Sequence, residues 1–134
     1  MTSKILYTGD LRTESTHIQS GTTIETDAPV DNHGKGERFS PTDMVANSLG
    51  TCMLTTMGIK AEDLQVDLKG TSAEITKIMA AEPRRIAEIK VLIHFPALDL
   101  DEKTKTILER TALHCPVAKS LSADLIQTVE FDWK

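Results

Sequence analysis

The spacing of apolar residues changes period along the chain, and each change marks an element. Ile5 and Tyr7 alternate with polar neighbours, which predicts a strand near 3–9. A second, polar-rich strand is expected near 11–18, then a turn at Gln19-Ser20-Gly21 and a third strand over 22–27. Residues 28–39 hold Pro, Asn and Gly and read as a loop. The period then becomes helical. Ser40 can cap, Pro41 suits the first helical position, and Asp43 stands where a capping-box acid belongs. Val45, Leu49, Cys52, Met53 and Met57 follow at helical spacing, and Met44, Ala46, Leu54 and Ile59 widen the apolar face. This predicts a deeply buried helix over 41–60.

Beyond it, the alternation of Leu64, Val66 and Leu68 predicts a strand at 64–71, with a partner at 72–79. Pro83 interrupts the chain. Ile86, Ile89, Val91, Ile93 and Phe95 predict a strand at 85–95, with Lys90 and His94 on its other face. Asp99 or Asp101 starts a helix to about 113 that turns Ile107 and Leu108 inward, Cys115-Pro116 opens a short helix to about 121, and Val129, Phe131 and Trp133 alternate in a last strand. The order βββ-α-ββ-αα-β predicts a single α+β domain over 1–134, with antiparallel sheets around a long central helix.

Composition narrows the function classes. The formal charge is −5, and Arg84-Arg85 is the only adjacent basic pair, so the chain lacks the clustered Lys and Arg that nucleic acid or an anionic membrane requires. No apolar run is long enough for a membrane span, and the first residues, MTSKILYTGD, have no signal-peptide core. A cytoplasmic location is therefore expected, where two cysteines are more often free, catalytic or metal-bound than a structural bridge.

The candidate chemistry lies in those cysteines. Cys52 is mid-helix on the apolar face, and reads either as a small buried hydrophobe or as a reactive thiol in a greasy pocket. Cys115 precedes Pro116 at a helix N-cap, where the dipole favours a thiolate and a protonated His114 would help; the alternative is an inert cap. Together they fit a peroxide cycle. A buried thiol becomes a sulfenic acid, and a second, reachable thiol condenses with it to a disulfide. No CxxC or HxxxH spacing supports a zinc site from Cys52, Cys115, His114 and His94, and no phosphate-cradling glycine pattern occurs, so neither metal nor bound cofactor is expected. His17 and His33 read as exposed, and Met44, Met53 and Met57 as core filling or the wall of an apolar pocket.

The segment from Phe39-Ser40-Pro41 through Gly50-Thr51-Cys52, followed by His114-Cys115-Pro116, resembles the osmotically inducible protein C / organic hydroperoxide resistance (OsmC/Ohr) family across nearly the whole chain. The resemblance implies an intertwined homodimer with active sites at the subunit interface and no metal or cofactor. It assigns Cys52 as the thiol that attacks a hydroperoxide, Cys115 as the resolving thiol, and an external dithiol as reductant. It also implies an arginine from the first hairpin that stabilises the attacking thiolate, a role that falls to Arg12. Peroxidase members place a Glu directly after the helix-opening Pro; this chain has Thr42 there, so Asp43 either stands in for that acid or only closes the capping box.

Overall fold

Asp10 and Leu11 both take positive φ, 53° and 62°, and this two-residue turn folds β1 (Ser3–Gly9) back onto β2 (Arg12–His17). Positive φ at both central positions gives a turn whose twist matches the strands it joins. For Leu11 the left-handed conformation costs on the order of 1–2 kcal/mol. Arg12 follows directly and pairs with Gly9. The chain turns again at Gly21 (φ 73°), where the His17 and Gly21 amides donate to Thr22 and His17 carbonyls, and β3 (Thr23–Asp27) pairs antiparallel with β2.

The computed structural model describes all of Met1–Lys134, in two compact units, Met1–Val45 and Ala46–Lys134. The first unit is the three-stranded meander β1-β2-β3 with a 3₁₀ turn at Val30–Asn32 in the expected loop. Gly34 is required there, because a Cβ on it would stand 1.7 Å from the Ala28 carbonyl oxygen. The unit's buried residues, Thr26, Asp27 and Ser40, are all polar, while Ile5, Leu6, Tyr7, Ile24, Val30 and Phe39 are exposed.

Helix α1 (Pro41–Asp63) begins in the first unit and has most of its length in the second. Its buried stripe is Ala46, Leu49, Gly50, Met53, Met57 and Ala61. Val45 and Ile59, expected on the buried face, are 38% and 62% exposed. Val45 precedes the stripe's first residue, and Ile59 lies between Met57 and Ala61 on the opposite side of the turn.

The strand expected at 64–71 does not form. Gln65 takes φ 56°, its amide donates to the Glu62 carbonyl, and the Val66 amide donates to that of Ala61. This pair of bonds is a Schellman closure of α1, with Gln in the place usually held by glycine. Leu64, Val66 and Leu68 alternate because they pack on the core as the chain leaves the helix, without strand pairing. The Asp67 carboxylate then accepts the Lys69 amide, and Gly70 (φ 91°) turns the chain into β4 (Ser72–Ala80).

β4 pairs antiparallel with β5 (Arg85–His94). The expectation of wholly antiparallel sheets fails at the last strand: β6 (Ile126–Asp132) runs parallel to β5. Between them the chain crosses through α2 (Glu102–Leu113) and α3 (Pro116–Ser120), and a helical crossover returns the chain in its original direction. The sheet order is β4-β5-β6. Ile89, Val91 and Ile93 on one face of β5, with Phe95 just beyond its end, join a core shared with Leu49, Met53, Met57 and Leu108. Burying each such side chain contributes roughly 1.5–3 kcal/mol. Gly50 sits within this core: a Cβ on it would lie 2.4 Å from Ile75 Cδ1 on β4, so glycine permits the close approach of helix and strand. At the open end, Trp133 stacks on Phe95 with centroids 3.5 Å apart, and its indole N–H donates to Glu109 Oε1 at 2.8 Å, tying the C-terminus to α2.

Candidate active site

Cys115 is positioned by two helix ends. Its amide donates to the Ala112 carbonyl at the close of α2, and its extended backbone (φ −64°, ψ 155°) makes it the N-cap of α3. Pro116 at the first helical position lacks the donor that a cap would otherwise have to satisfy. The Cys115 Sγ accepts the Ala118 amide at 3.4 Å. The residue is 0% exposed, although its neighbours His114 and Pro116 are exposed.

Cys52 lies on α1 and is half-buried. Thr56 donates its hydroxyl proton to the Cys52 carbonyl at 2.7 Å. Its oxygen is then left to accept from the Cys52 thiol at 3.9 Å. Both cysteines are free thiols packed in the same core. Burial pushes the Cys115 thiol above its ordinary value; the Ala118 amide opposes that shift, and the neighbouring Cys52 thiol, as hydrogen-bond partner and nearby charge, adds to it.

The structure thus unites the two predicted cysteines but reverses their exposure. By sequence alone, Cys52 is expected to be the sunken thiol and Cys115 the reachable, dipole-activated one. Here Cys115 is enclosed, and desolvation outweighs the cap, so Cys115 is held as the neutral thiol. His114 does not add to the cap of α3: its Nδ1 lies 2.8 Å from the Arg110 carbonyl of α2.

Arg12 belongs to a separate arrangement in the first unit. Its Nε donates to Asp27 Oδ1 at 2.6 Å and its Nη2 to Asp27 Oδ2 at 2.8 Å, a bidentate pair, and Nη2 also reaches Glu37 Oε2 at 3.1 Å. The Glu37 amide donates to Asp27 Oδ2 at 3.1 Å. Asp27 is 2% exposed, and the guanidinium holds its carboxyl below the usual carboxylate range; the same contacts raise the Arg12 pKa further, so it stays cationic. Arg12 is thus fixed by three side-chain hydrogen bonds. Asp27 and Glu37 were missed in the sequence. Asp27 had a findable signal: it stands directly across the β2–β3 pair from Arg12, in a register symmetric about Gln19-Ser20.

Asp43 closes the predicted capping box. Its Oδ2 accepts the Ser40 amide at 2.9 Å, while the Asp43 amide donates to Ser40 Oγ at 3.1 Å. Thr42 Oγ1 lies 3.2 Å from Ser40 Oγ. No group of three or more His, Cys, Asp or Glu side chains is arranged to hold a metal ion. A cleft of about 450 Å³ lies along the later half of α1, lined by residues including Leu54, Met57, Ile59, Val66 and Leu68; Cys52 does not line it. No helix is long and apolar enough to cross a membrane.

The chain resembles known proteins over most of its length. The crystal structure of a protein from Psychrobacter arcticus 273-4, assigned to the osmotic stress induced and detoxification response, is 56% identical, with a TM-score of 0.94 over 98% of this chain and 95% of that one. The organic hydroperoxide resistance protein OsmC of Legionella pneumophila shares the fold at 14% identity, with a TM-score of 0.76 over 98% of this chain and 97% of that one. OhrB of Bacillus subtilis, an organic hydroperoxide resistance protein, shares it at 15% identity, with a TM-score of 0.68 over 98% of each chain. No curated protein matches. The family model described as OsmC-like protein matches residues 34–130, a span that holds α1, both cysteines, β4, β5 and most of β6, and the chain belongs to that OsmC-like family.

Proposed function

We propose that the protein reduces organic hydroperoxides with Cys52 and Cys115, acting in the cytoplasm as a homodimer and reset by an external dithiol. The observation that carries this reading is the adjacency of two free thiols, one half-exposed and one enclosed, in a chain of the OsmC-like family. The Cys52 sulfur, as thiolate, attacks the terminal peroxide oxygen. The O–O bond breaks, Cys52 becomes a sulfenic acid, and the alkoxide leaves as an alcohol after taking a proton. The Cys115 sulfur then attacks the Cys52 sulfur and expels hydroxide. The hydroxide takes the Cys115 proton and departs as water, leaving a disulfide. The neutral state of Cys115 suits this role, since it brings the proton that the leaving hydroxide needs. Arg12 is assigned to the thiolate by the family pattern, because a cation near a thiol favours its charged form. Asp43 serves through the cap that starts α1.

The test is turnover of cumene hydroperoxide with dithiothreitol. Cys52→Ser is expected to fall to background, Cys115→Ser to react once and stall, and Arg12→Ala to slow the peroxide step. Undiminished turnover in Cys52→Ser would sink the mechanism. One observation favours a second reading, a non-enzymatic apolar-ligand binder or redox sensor with weakly activated thiols: Thr42 stands where the resemblance implies a Glu, and Asp43 is engaged in the cap. Stoichiometric disulfide formation without sustained turnover would select it.

A further inference from the structure

We propose that the reductant which reopens the Cys52–Cys115 disulfide attacks at Cys52 alone, so that Cys115 is always the leaving thiol. This rests on the reading that the two cysteines form a disulfide in the cycle. The asymmetry comes from where the two sulfurs are built in. Cys115 is 0% exposed and held on three sides: its amide is bound to Ala112, its sulfur faces the Ala118 amide, and Pro116 fixes the backbone beyond it. The short helix it caps is tied in turn to β6, through the Gln127 side-chain amide to the Ala118 carbonyl at 2.9 Å. Cys52 sits on the long helix α1 and is half-exposed.

A thiolate attacks a disulfide sulfur along the line of the bond that breaks, and needs open space behind that sulfur. Two factors compete here. Leaving-group strength favours expelling the thiol of lower pKa, whereas access favours attack on the reachable sulfur. Burial raises the Cys115 thiol, so leaving-group strength alone disfavours its expulsion. Access outweighs this, because an enclosed sulfur admits no nucleophile at all. The first thiolate of the external dithiol therefore forms a bond to the Cys52 sulfur, and the Cys52–Cys115 bond breaks. The Cys115 sulfur takes the electron pair and then a proton from solvent. The second thiolate of the dithiol attacks its own partner sulfur in the mixed disulfide, closes a ring, and releases the Cys52 thiolate. The dithiol is oxidised by two electrons, and the protein disulfide is reduced by two. The opening at Cys52 then serves peroxide and reductant in turn.

The experiment begins with diamide, which makes the disulfide without any peroxide chemistry. The oxidised protein is mixed briefly with 2-mercaptoethanol and quenched with acid. New thiols are blocked with N-ethylmaleimide, and the peptides are mapped by mass spectrometry. The expected result is the mercaptoethanol adduct on Cys52 and maleimide on Cys115, in at least about tenfold excess over the reverse pattern. A majority of adducts on Cys115 overturns the proposal, and so does failure of diamide to join the two sulfurs. A second measurement covers exchange after the first attack. In Cys52→Ser, the native Cys115 thiol is expected to react with a chromogenic aromatic disulfide at least about tenfold more slowly than Cys52 does in Cys115→Ser, and equal rates overturn the assignment. A disulfide made by diamide but not by cumene hydroperoxide would defeat the peroxidase reading and leave this one standing.

Discussion

The two units of the chain are held together by different forces. In Ala46–Lys134 the buried residues are aliphatic or aromatic side chains and a thiol, closed into one core between β5, α1 and α2. In Met1–Val45 the buried residues are Thr26, Asp27 and Ser40, and the interactions are polar: the Arg12–Asp27–Glu37 cluster, the Arg38–Glu25 pair at 2.8 Å, and the Thr13–Thr26 hydroxyl contact. The apolar residues of the first unit point outward. A three-stranded meander with no apolar interior is weak by itself. In the homodimer proposed above, a second copy of the chain would cover such a face. Ordinary burial thus anchors the second unit, while charge and backbone bonding set the geometry of the first.

The largest expected effect separates the two directly. Ile93→Ala removes a side chain with 0% exposure and is expected to cost about 2–5 kcal/mol. Ile5→Ala, at 69% exposure, is expected to stay within about 0.5 kcal/mol in a dilute single chain. Denaturant unfolding followed by the fluorescence of Trp133, the sole tryptophan, measures both. A large cost for Ile5→Ala that shrinks on dilution shows that a second copy covers the face. Equal costs at every concentration would erase the contrast. Gly50→Val belongs to the same experiment. Its added atoms meet Ile75, and overpacking is expected to cost about 1–3 kcal/mol.

Titration sharpens the contrast from both ends of the pH scale. The folded Asp27 carboxyl lies below its ordinary value of 3.8 because of Arg12, so its contribution is complete above that pH and fades as pH falls through the lower folded value. Arg12 is raised and stays charged throughout. Cys115 is shifted the other way, above 9.0. Its contribution is complete below that value and fades as pH rises through the higher folded value. Acid is therefore expected to release the β2 and β3 amides before those of β5, as read by hydrogen exchange. Alkali is expected to weaken the second unit, and Cys115→Ala removes that alkaline loss. Asp101 adds a smaller acid effect at α2, since its carboxyl, lowered by its bonds to Thr104, caps that helix. Simultaneous release of both sheets in acid would refute the division.

Local signals made much of this legible in the sequence. The caps at Ser40, Asp101 and Cys115 and the period of β5 each depend on a few neighbouring residues, and each element stands where those residues place it. What failed depended on distant packing. Leu64, Val66 and Leu68 alternate like a strand, yet they close a helix, because the Gln65 backbone adopts a turn that its residue type does not announce. The direction of β6 is set by the crossover through α2 and α3 and leaves no mark on its own residues. The cysteine pair was visible from its caps and spacing. Its exposure was not, since burial of Cys115 comes from the elements folded around it. Asp27 was missed because a cross-strand ion pair shows only once the register is known.

A smaller loss than that of Ile93→Ala falls on Ser40, the one buried residue where a side chain of the first unit helps to start α1. Its hydroxyl accepts the Asp43 amide and its own amide donates to the Asp43 carboxylate. Ser40→Ala keeps the second bond and loses the first, so it is expected to cost about 1 kcal/mol. Ser40→Gly is expected to cost only a few tenths, because water reaches the exposed amide where the smaller residue stands. The loss should fray the first turn of α1 and leave its later turns intact, because Leu49 and Met53 hold those in the core. Hydrogen exchange at Asp43 and Met44 is expected to quicken in Ser40→Ala, with exchange at Met53 unchanged. Faster exchange at Met53 as well would mean that the polar start of the helix supports the apolar core, and the two units would then share one source of stability.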